Sequence, residues 1–170
     1  MLFPIRLTWL AALAVCAVQC SLAPRVAGSR EESVRQQLTA EYATIVAGFK
    51  RDDPSPWIER LAPDFHLTLF NGSVQSRDWA VNYVRENAHA FRVDSLSMRL
   101  KELRERQDVW EATVEQLSSR TFTDSSGVHR LDVGAMQLET WKWVAGRWLL
   151  AAVREKDVLY LRRDGQPPVH

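Results

Sequence analysis

The feature that most limits the fold is the segment Thr140-Trp141-Lys142-Trp143-Val144-Ala145-Gly146-Arg147-Trp148-Leu149-Leu150-Ala151-Ala152-Val153. Two runs of aromatic and aliphatic residues flank the dipeptide Ala145-Gly146, the mark of a tight hairpin loop. An isolated hairpin is marginal in water, so one with tryptophan on both arms closes a larger antiparallel sheet. Counting outward from the loop pairs Val144 with Arg147, Trp143 with Trp148, Trp141 with Leu150, Glu139 with Ala152 and Gln137 with Arg154. Strand alternation then places Gln137, Glu139, Trp141, Trp143, Trp148, Leu150 and Arg154 on one face. Leu138, Thr140, Lys142, Leu149, Ala151 and Val153 take the other.

Helices precede this sheet. Ser29-Arg30-Glu31-Glu32 has a hydroxyl cap and acids in the first turn. Val34, Leu38, Tyr42, Ile45, Val46 and Phe49 follow at helical spacing, making this the strongest helix pattern in the chain. Asp52-Asp53-Pro54 breaks it. Ser55-Pro56 starts a short second helix through Trp57, Ile58 and Leu61, which Pro63 stops. Phe65, Leu67 and Leu69 alternate with His66 and Thr68 as in a strand, and Asn71-Gly72 marks a hairpin turn. Ser76 caps a third helix through Trp79, Val81, Tyr83 and Val84. The last third predicts four strands, near 91–104, 108–122, 129–144 and 147–162. Helices segregated ahead of a strand meander give an α+β fold with the helices on one sheet face.

The N-terminus carries a targeting pattern. Arg6 precedes an apolar run from Leu7, and Ser21-Leu22-Ala23 fits a small-x-small cleavage site. Residues 1–23 are therefore expected to be a signal peptide, 24–28 a linker, 29–163 the folded domain and 164–170 a frayed tail. The protein is expected to be exported, to the periplasm or beyond. The apolar run is short for a membrane span. Both cysteines, Cys16 and Cys20, fall inside the signal segment, so the mature domain needs no disulfide. Two alternatives stay open: Ala17-Val18-Gln19-Cys20 resembles a lipidation motif that would anchor the chain through Cys20, and the segment could be retained. Only these would bring the chain to a membrane. With 170 residues and a net charge of +1, one domain is the expectation, and a nucleic-acid partner is disfavoured.

Three stretches carry a family resemblance. Leu61-Ala62-Pro63-Asp64-Phe65, then Asn71-Gly72 with Ser76-Arg77-Asp78-Trp79-Ala80, is similar to the opening strand and third helix of the NTF2-like (SnoaL-like, DUF4440-type) superfamily. Thr140-Trp141 with Gly146-Arg147-Trp148 resembles its closing hairpin. The resemblance spans roughly 29–162 and implies a cystatin-like cone, a curved antiparallel sheet wrapped on about three N-terminal helices. It also implies a pocket between sheet and helices, and an open outer sheet face that can pair two copies as a homodimer. Such folds host isomerases, cyclases and hydratases as well as domains that only bind. Aligned through the same motifs, the aspartate base of the steroid isomerases falls at Leu69 and their oxyanion tyrosine at Ile45, so neither group is present. The dehydratases' His–Asp pair finds only His66.

The pocket candidates are Tyr42, Trp57, His66, Gln137, Glu139, Trp141 and Arg154. Glu139 and Arg154 stand as diagonal neighbours on one face, either orienting a ligand within a pocket or forming an exposed cross-strand pair. A carboxylate among tryptophans can have a raised pKa and do acid–base work. His66, a residue type that can serve as a base, lies opposite the apolar side of its strand. Tyr42 sits on the buried face of the first helix. His89 and His129 have no partner at metal-binding spacing, so no metal and no cofactor are expected. The chain is thus expected to bind a small apolar molecule or a protein partner. A cofactor-independent acid–base enzyme acting on a small apolar substrate is the alternative.

Overall fold

The computed structural model describes residues 27–88 and 90–167. The signal-peptide expectation, both cysteines and His89 lie outside these residues. The elements run α1 (Ala27–Phe49), α2 (Ser55–Ile58), β1 (Leu61–Thr68), β2 (Val74–Ser76), α3 (Arg77–Ala88), β3 (Arg92–Arg106), β4 (Val109–Asp124), β5 (Gly127–Val144) and β6 (Arg147–Arg163). The six strands form one curved, unclosed sheet in the order β2-β1-β6-β5-β4-β3. Helices lie on its inner side, as the α+β reading expected.

Local chemistry explains most boundaries. Val34, Leu38, Tyr42 and Ile45 recur every three or four residues and are the buried stripe of α1. Gly48, near its end, allows a close approach. A Cβ there would lie 2.6 Å from the Asp53 carbonyl oxygen and 2.8 Å from Pro56 Cγ. Asp52, at φ 56°, reverses the chain. The Ser76 hydroxyl accepts the Trp79 amide at 3.2 Å and caps α3. Ala145 and Gly146 both have positive φ, 50° and 79°, the pairing a two-residue hairpin loop requires.

Three features differ from the sequence reading. The sheet is mixed, because β1 pairs in parallel with β6. Alternation along a strand is silent about the direction of its neighbour, so the expected all-antiparallel sheet was not fixed by the pattern. Pro63 lies inside β1 instead of ending α2, which stops at Ile58. Finally, the closing hairpin keeps the expected register only as far as Trp141↔Leu150. Beyond it an extra residue, Ala151, shifts the pairing to Thr140↔Ala152, Glu139↔Val153 and Gln137↔Glu155. Two more shifts, near Met136 and Gly134, follow on the same strand pair. Each bulge bends the sheet and adds twist, which curves it around the helices.

The main core lies between α1 and the inner sheet face. It holds Leu38, Tyr42, Ile45, Phe65, Trp110, Val114, Trp141, Trp148 and Leu150. A small second cluster of Ala62, Leu149 and Ala151 lies apart from it.

Candidate functional site

A cavity of about 210 Å³ opens between the sheet and α2, α3 and the end of α1. The polar part of its sheet wall is built by three neighbouring strands, flanked by Leu67 of β1 and by Val93, Leu96 and Met98 of β3. Even-numbered residues of β4 face inward: Trp110, Ala112 and Val114 are buried in the core, and Gln116 and Arg120 continue the same side into the cavity. β5 contributes Gln137 and Glu139, and β6 contributes Val153 and Glu155. The opposite wall is apolar and aromatic, with Ile45, Phe49, Trp57, Trp79, Tyr83 and Phe91. The Trp79 and Tyr83 rings stack at 4.9 Å with an interplanar angle of 11°, and both are substantially exposed. One polar wall facing an apolar one is the common design of a small-molecule pocket.

Glu139 is the centre of the polar wall. It is 1% exposed, and both carboxylate oxygens are held. The Tyr42 hydroxyl donates to Oε2 at 2.7 Å. The Trp141 indole N–H donates to the same oxygen at 2.8 Å and lies 3.1 Å from Tyr42 Oη. The Gln137 amide donates to Oε1 at 2.7 Å. Burial disfavours the carboxylate anion, and these three donors favour it. Burial wins, so the pKa rises from the ordinary 4.5 to about 7. The same burial, with the Glu139 charge beside it, holds the Tyr42 hydroxyl well above its usual value. At neutral pH Glu139 is therefore divided between acid and carboxylate, the condition a general acid–base group needs.

Two further charged groups share the wall. Glu155 is raised by burial, opposed by the hydrogen bond it accepts from the Phe70 amide at 3.0 Å. Arg120 is lowered by burial, opposed by its interaction with Tyr83. Among the described residues, the buried Nε of Arg120 has no hydrogen-bond partner, and neither has the buried hydroxyl of Ser118.

Of the seven sequence candidates, five meet here. Trp57, Gln137 and Glu139 line the cavity, while Tyr42 and Trp141 sit behind Glu139 and orient it. Arg154 is not brought to the site. The bulge at Ala151 pairs it with Leu138, and it is exposed on the outer side. The expected Glu139–Arg154 pair is therefore replaced by Val153 and Glu155 beside Glu139. His66 is exposed and does not line the cavity, since alternation in β1 gives the inner side to Phe65 and Leu67.

Sequence reasoning missed Gln116, Arg120, Glu155, Trp79 and Tyr83. Gln116 and Arg120 carried a usable mark, because they continue the inward series of Trp110, Ala112 and Val114 with polar side chains. Glu155 carried none, since one inserted residue decides which way it faces.

A histidine cluster occupies the far tip of the sheet. The Ser126 hydroxyl lies 2.8 Å from His129 Nε2, and His129 Nδ1 lies 2.7 Å from Asp164. Asp124 also takes the Ser126 hydroxyl, at 2.6 Å, so its proton is directed to a carboxylate. None of these residues lines the cavity. They tie the β4–β5 hairpin to the end of β6. Among the described residues, no group of three His, Cys, Asp or Glu side chains is placed to hold a metal ion.

The comparisons with known proteins agree with this geometry. No family model matches the chain, and no curated protein matches it in sequence. Solved structures do match. The chain is similar to an NTF2-like protein from Cytophaga hutchinsonii at 14% identity, over 72% of this chain and 96% of that one, with a TM-score of 0.59. It is similar to a type 2 hexachlorocyclohexane dehydrochlorinase (LinA) at 12% identity, over 84% and 95%, with a TM-score of 0.61. An NTF2-like protein of unknown function in nutrient uptake from Rhodospirillum rubrum matches at 17% identity, over 72% and 98%, with a TM-score of 0.55. The curved sheet, the helices on its inner side and the cavity between them define an α+β cone. The chain has the NTF2-like fold.

Proposed function

We propose that this chain is an exported domain that binds a small, largely apolar molecule in the cavity between α2, α3 and the sheet. The observation that carries the reading is the cavity itself: an open aromatic wall facing a short polar wall centred on a buried carboxylate. Rigid strands hold the polar groups, and the mouth is framed by Trp79 and Tyr83, which bring apolar area at low entropic cost. Native mass spectrometry of protein purified from its source tests it. The expected result is a complex heavier than the chain by one small molecule, lost on denaturation. Bare chain, together with tryptophan fluorescence that no apolar probe changes, would contradict it. The same spectrum reads the oligomeric state, and so whether two copies associate through the outer sheet face. Export is supported by Arg6, the apolar run from Leu7 and the Ser21-Leu22-Ala23 site. N-terminal sequencing should begin near Pro24, and an intact Met1 on cytosolic protein would reject it.

A second reading is favoured by one specific observation. Glu139, with a pKa of about 7, stands on the cavity wall, where it could move a proton on a bound substrate without a cofactor. A similar fold carries a dehydrochlorinase. Under this reading Glu139→Gln abolishes turnover of a bound substrate while leaving its affinity nearly unchanged. Under the binding reading no turnover exists to lose.

A further inference from the structure

The carboxylate at the centre of the cavity wall already has its donors, and the guanidinium beside it has no acceptor at Nε. Glu139 receives three donors, and Glu155 receives the Phe70 amide. Arg120, in contrast, brings a partly buried guanidinium to the same wall, and its buried Nε has no partner among the described residues. The Ser118 hydroxyl, also buried and unpartnered, lies two residues away on the same inward-facing series of β4. The Gln116 amide comes next on that series. A buried donor left unmade costs free energy, and a buried cation costs more, so such groups are normally matched by an acceptor or an anion.

We propose that the ligand of this cavity is an amphipathic monoanion, an aromatic or aliphatic body bearing one carboxylate, with the carboxylate held by Arg120 and the body against Trp57, Trp79 and Phe91. This rests on the reading of the cavity as a ligand pocket. The remaining charged groups that line it are Asp52, Glu139 and Glu155. They set the charge of the ligand. One guanidinium balances one negative charge, and a dianion would meet Glu155 and the ionised fraction of Glu139 unscreened. A planar carboxylate also matches the guanidinium fork, accepting two parallel hydrogen bonds. An ammonium head would leave Arg120 unmatched.

Three probes of one shape test this at neutral pH by calorimetry: a naphthalene carboxylate, its uncharged carboxamide and its aminomethyl analogue, which is a cation. The carboxylate is expected to bind the parent at least about tenfold more tightly than the carboxamide, as a charge-assisted hydrogen bond implies. The cation is expected to bind most weakly. Arg120→Gln should remove the carboxylate's advantage over the carboxamide, and Arg120→Lys should restore part of it. The probe comparison in the parent needs no variant, so it stands even if Arg120→Gln fails to fold. Equal binding of carboxylate and carboxamide, tighter binding of the cation, or a preference that survives Arg120→Gln overturns the role of Arg120 and leaves the pocket reading intact. Binding of none of the three overturns the pocket reading and this inference with it.

Discussion

The inner face of the sheet has two ends, built from the same strands and the same alternation but finished differently. At one end Trp110, Trp141, Trp148 and Leu150 pack against Val34 and Leu38 of α1 and are buried. At the other, Gln116 and Arg120 follow Trp110 along β4, Gln137 and Glu139 follow Trp141 along β5, and Glu155 follows Leu150 along β6. The packed end is covered by a long helix with an unbroken apolar stripe. Shorter α2 and α3 cover the other end and leave space. The polar residues sit where coverage thins, and Glu139 lies at the junction, where Tyr42 and Trp141 from the packed side hold it at the edge of the cavity. The contrast shows how one continuous face can supply both stability and a binding surface.

The largest expected effect strikes the packed end. Trp141 is 0% exposed, and replacing it by alanine removes a large aromatic ring and a donor to Glu139. Trp141→Ala should cost about 3–5 kcal/mol in denaturant unfolding, much of a total stability of ~5–15 kcal/mol. If the variant melts like the parent, the two ends do not differ in packing.

The next effect belongs to the junction. A carboxylic acid whose folded pKa is raised binds its proton more tightly in the native state, so its stabilising contribution is present at low pH. That contribution is lost as pH rises from 4.5 to about 7. Glu139 should thus make the parent less stable at pH above 7 than near 4.5, by on the order of 3 kcal/mol. Glu155 is shifted in the same direction and adds to this slope. The exposed aspartates with lowered values, Asp124 and Asp164 among them, act only below this window, where stability falls as they protonate. Chemical denaturation across the window should show a steep loss in the parent and a much flatter profile in Glu139→Gln. Identical profiles would place Glu139 among the ordinary solvated carboxylates.

Tyr42→Phe sharpens the same point. It keeps the ring and removes one donor, so it should cost about 1–3 kcal/mol where Glu139 is ionised and less where it is protonated. It should also move the Glu139 midpoint upward, because the lost hydrogen bond favoured the anion. A cost independent of pH would mean the hydroxyl serves packing alone.

The smallest effect is reserved for the surface. Lys142 Nζ lies 2.9 Å from Asp64, and both side chains are exposed to solvent. Lys142→Ala should cost less than about 1 kcal/mol and leave ligand affinity unchanged. A larger loss would mean that the outer face contributes more than its exposure implies.

The architecture was legible in the sequence, and the site only in part. The helical stripe from Val34 to Phe49, the Asn71-Gly72 turn, the Ser76 cap and the four long strands are set by local chemistry, and local chemistry is what a single sequence displays. The register near Ala145-Gly146 was equally local, and it placed Trp141 and Trp148 on one face, where the structure buries both. Trp143, two residues from Trp141 on the same side, shows the limit: it is 55% exposed although its cross-strand partner Trp148 is buried and bonded to Gln37 of α1. Glu139 was found because a carboxylate between tryptophans is conspicuous. Its partner was misplaced because the bulge at Ala151 follows no turn signal, and every residue beyond it changes face. The parallel pairing of β1 with β6 depends on how the chain returns across the domain, which no local pattern encodes.

The cone holds an open cavity with the buried carboxyl of Glu139 on its wall. The most direct measurement is a carbon NMR titration of the Glu139 carboxyl in isotope-labelled protein, with Glu139→Gln identifying the resonance. The account expects a midpoint near 7, and a midpoint near the ordinary 4.5 would contradict it.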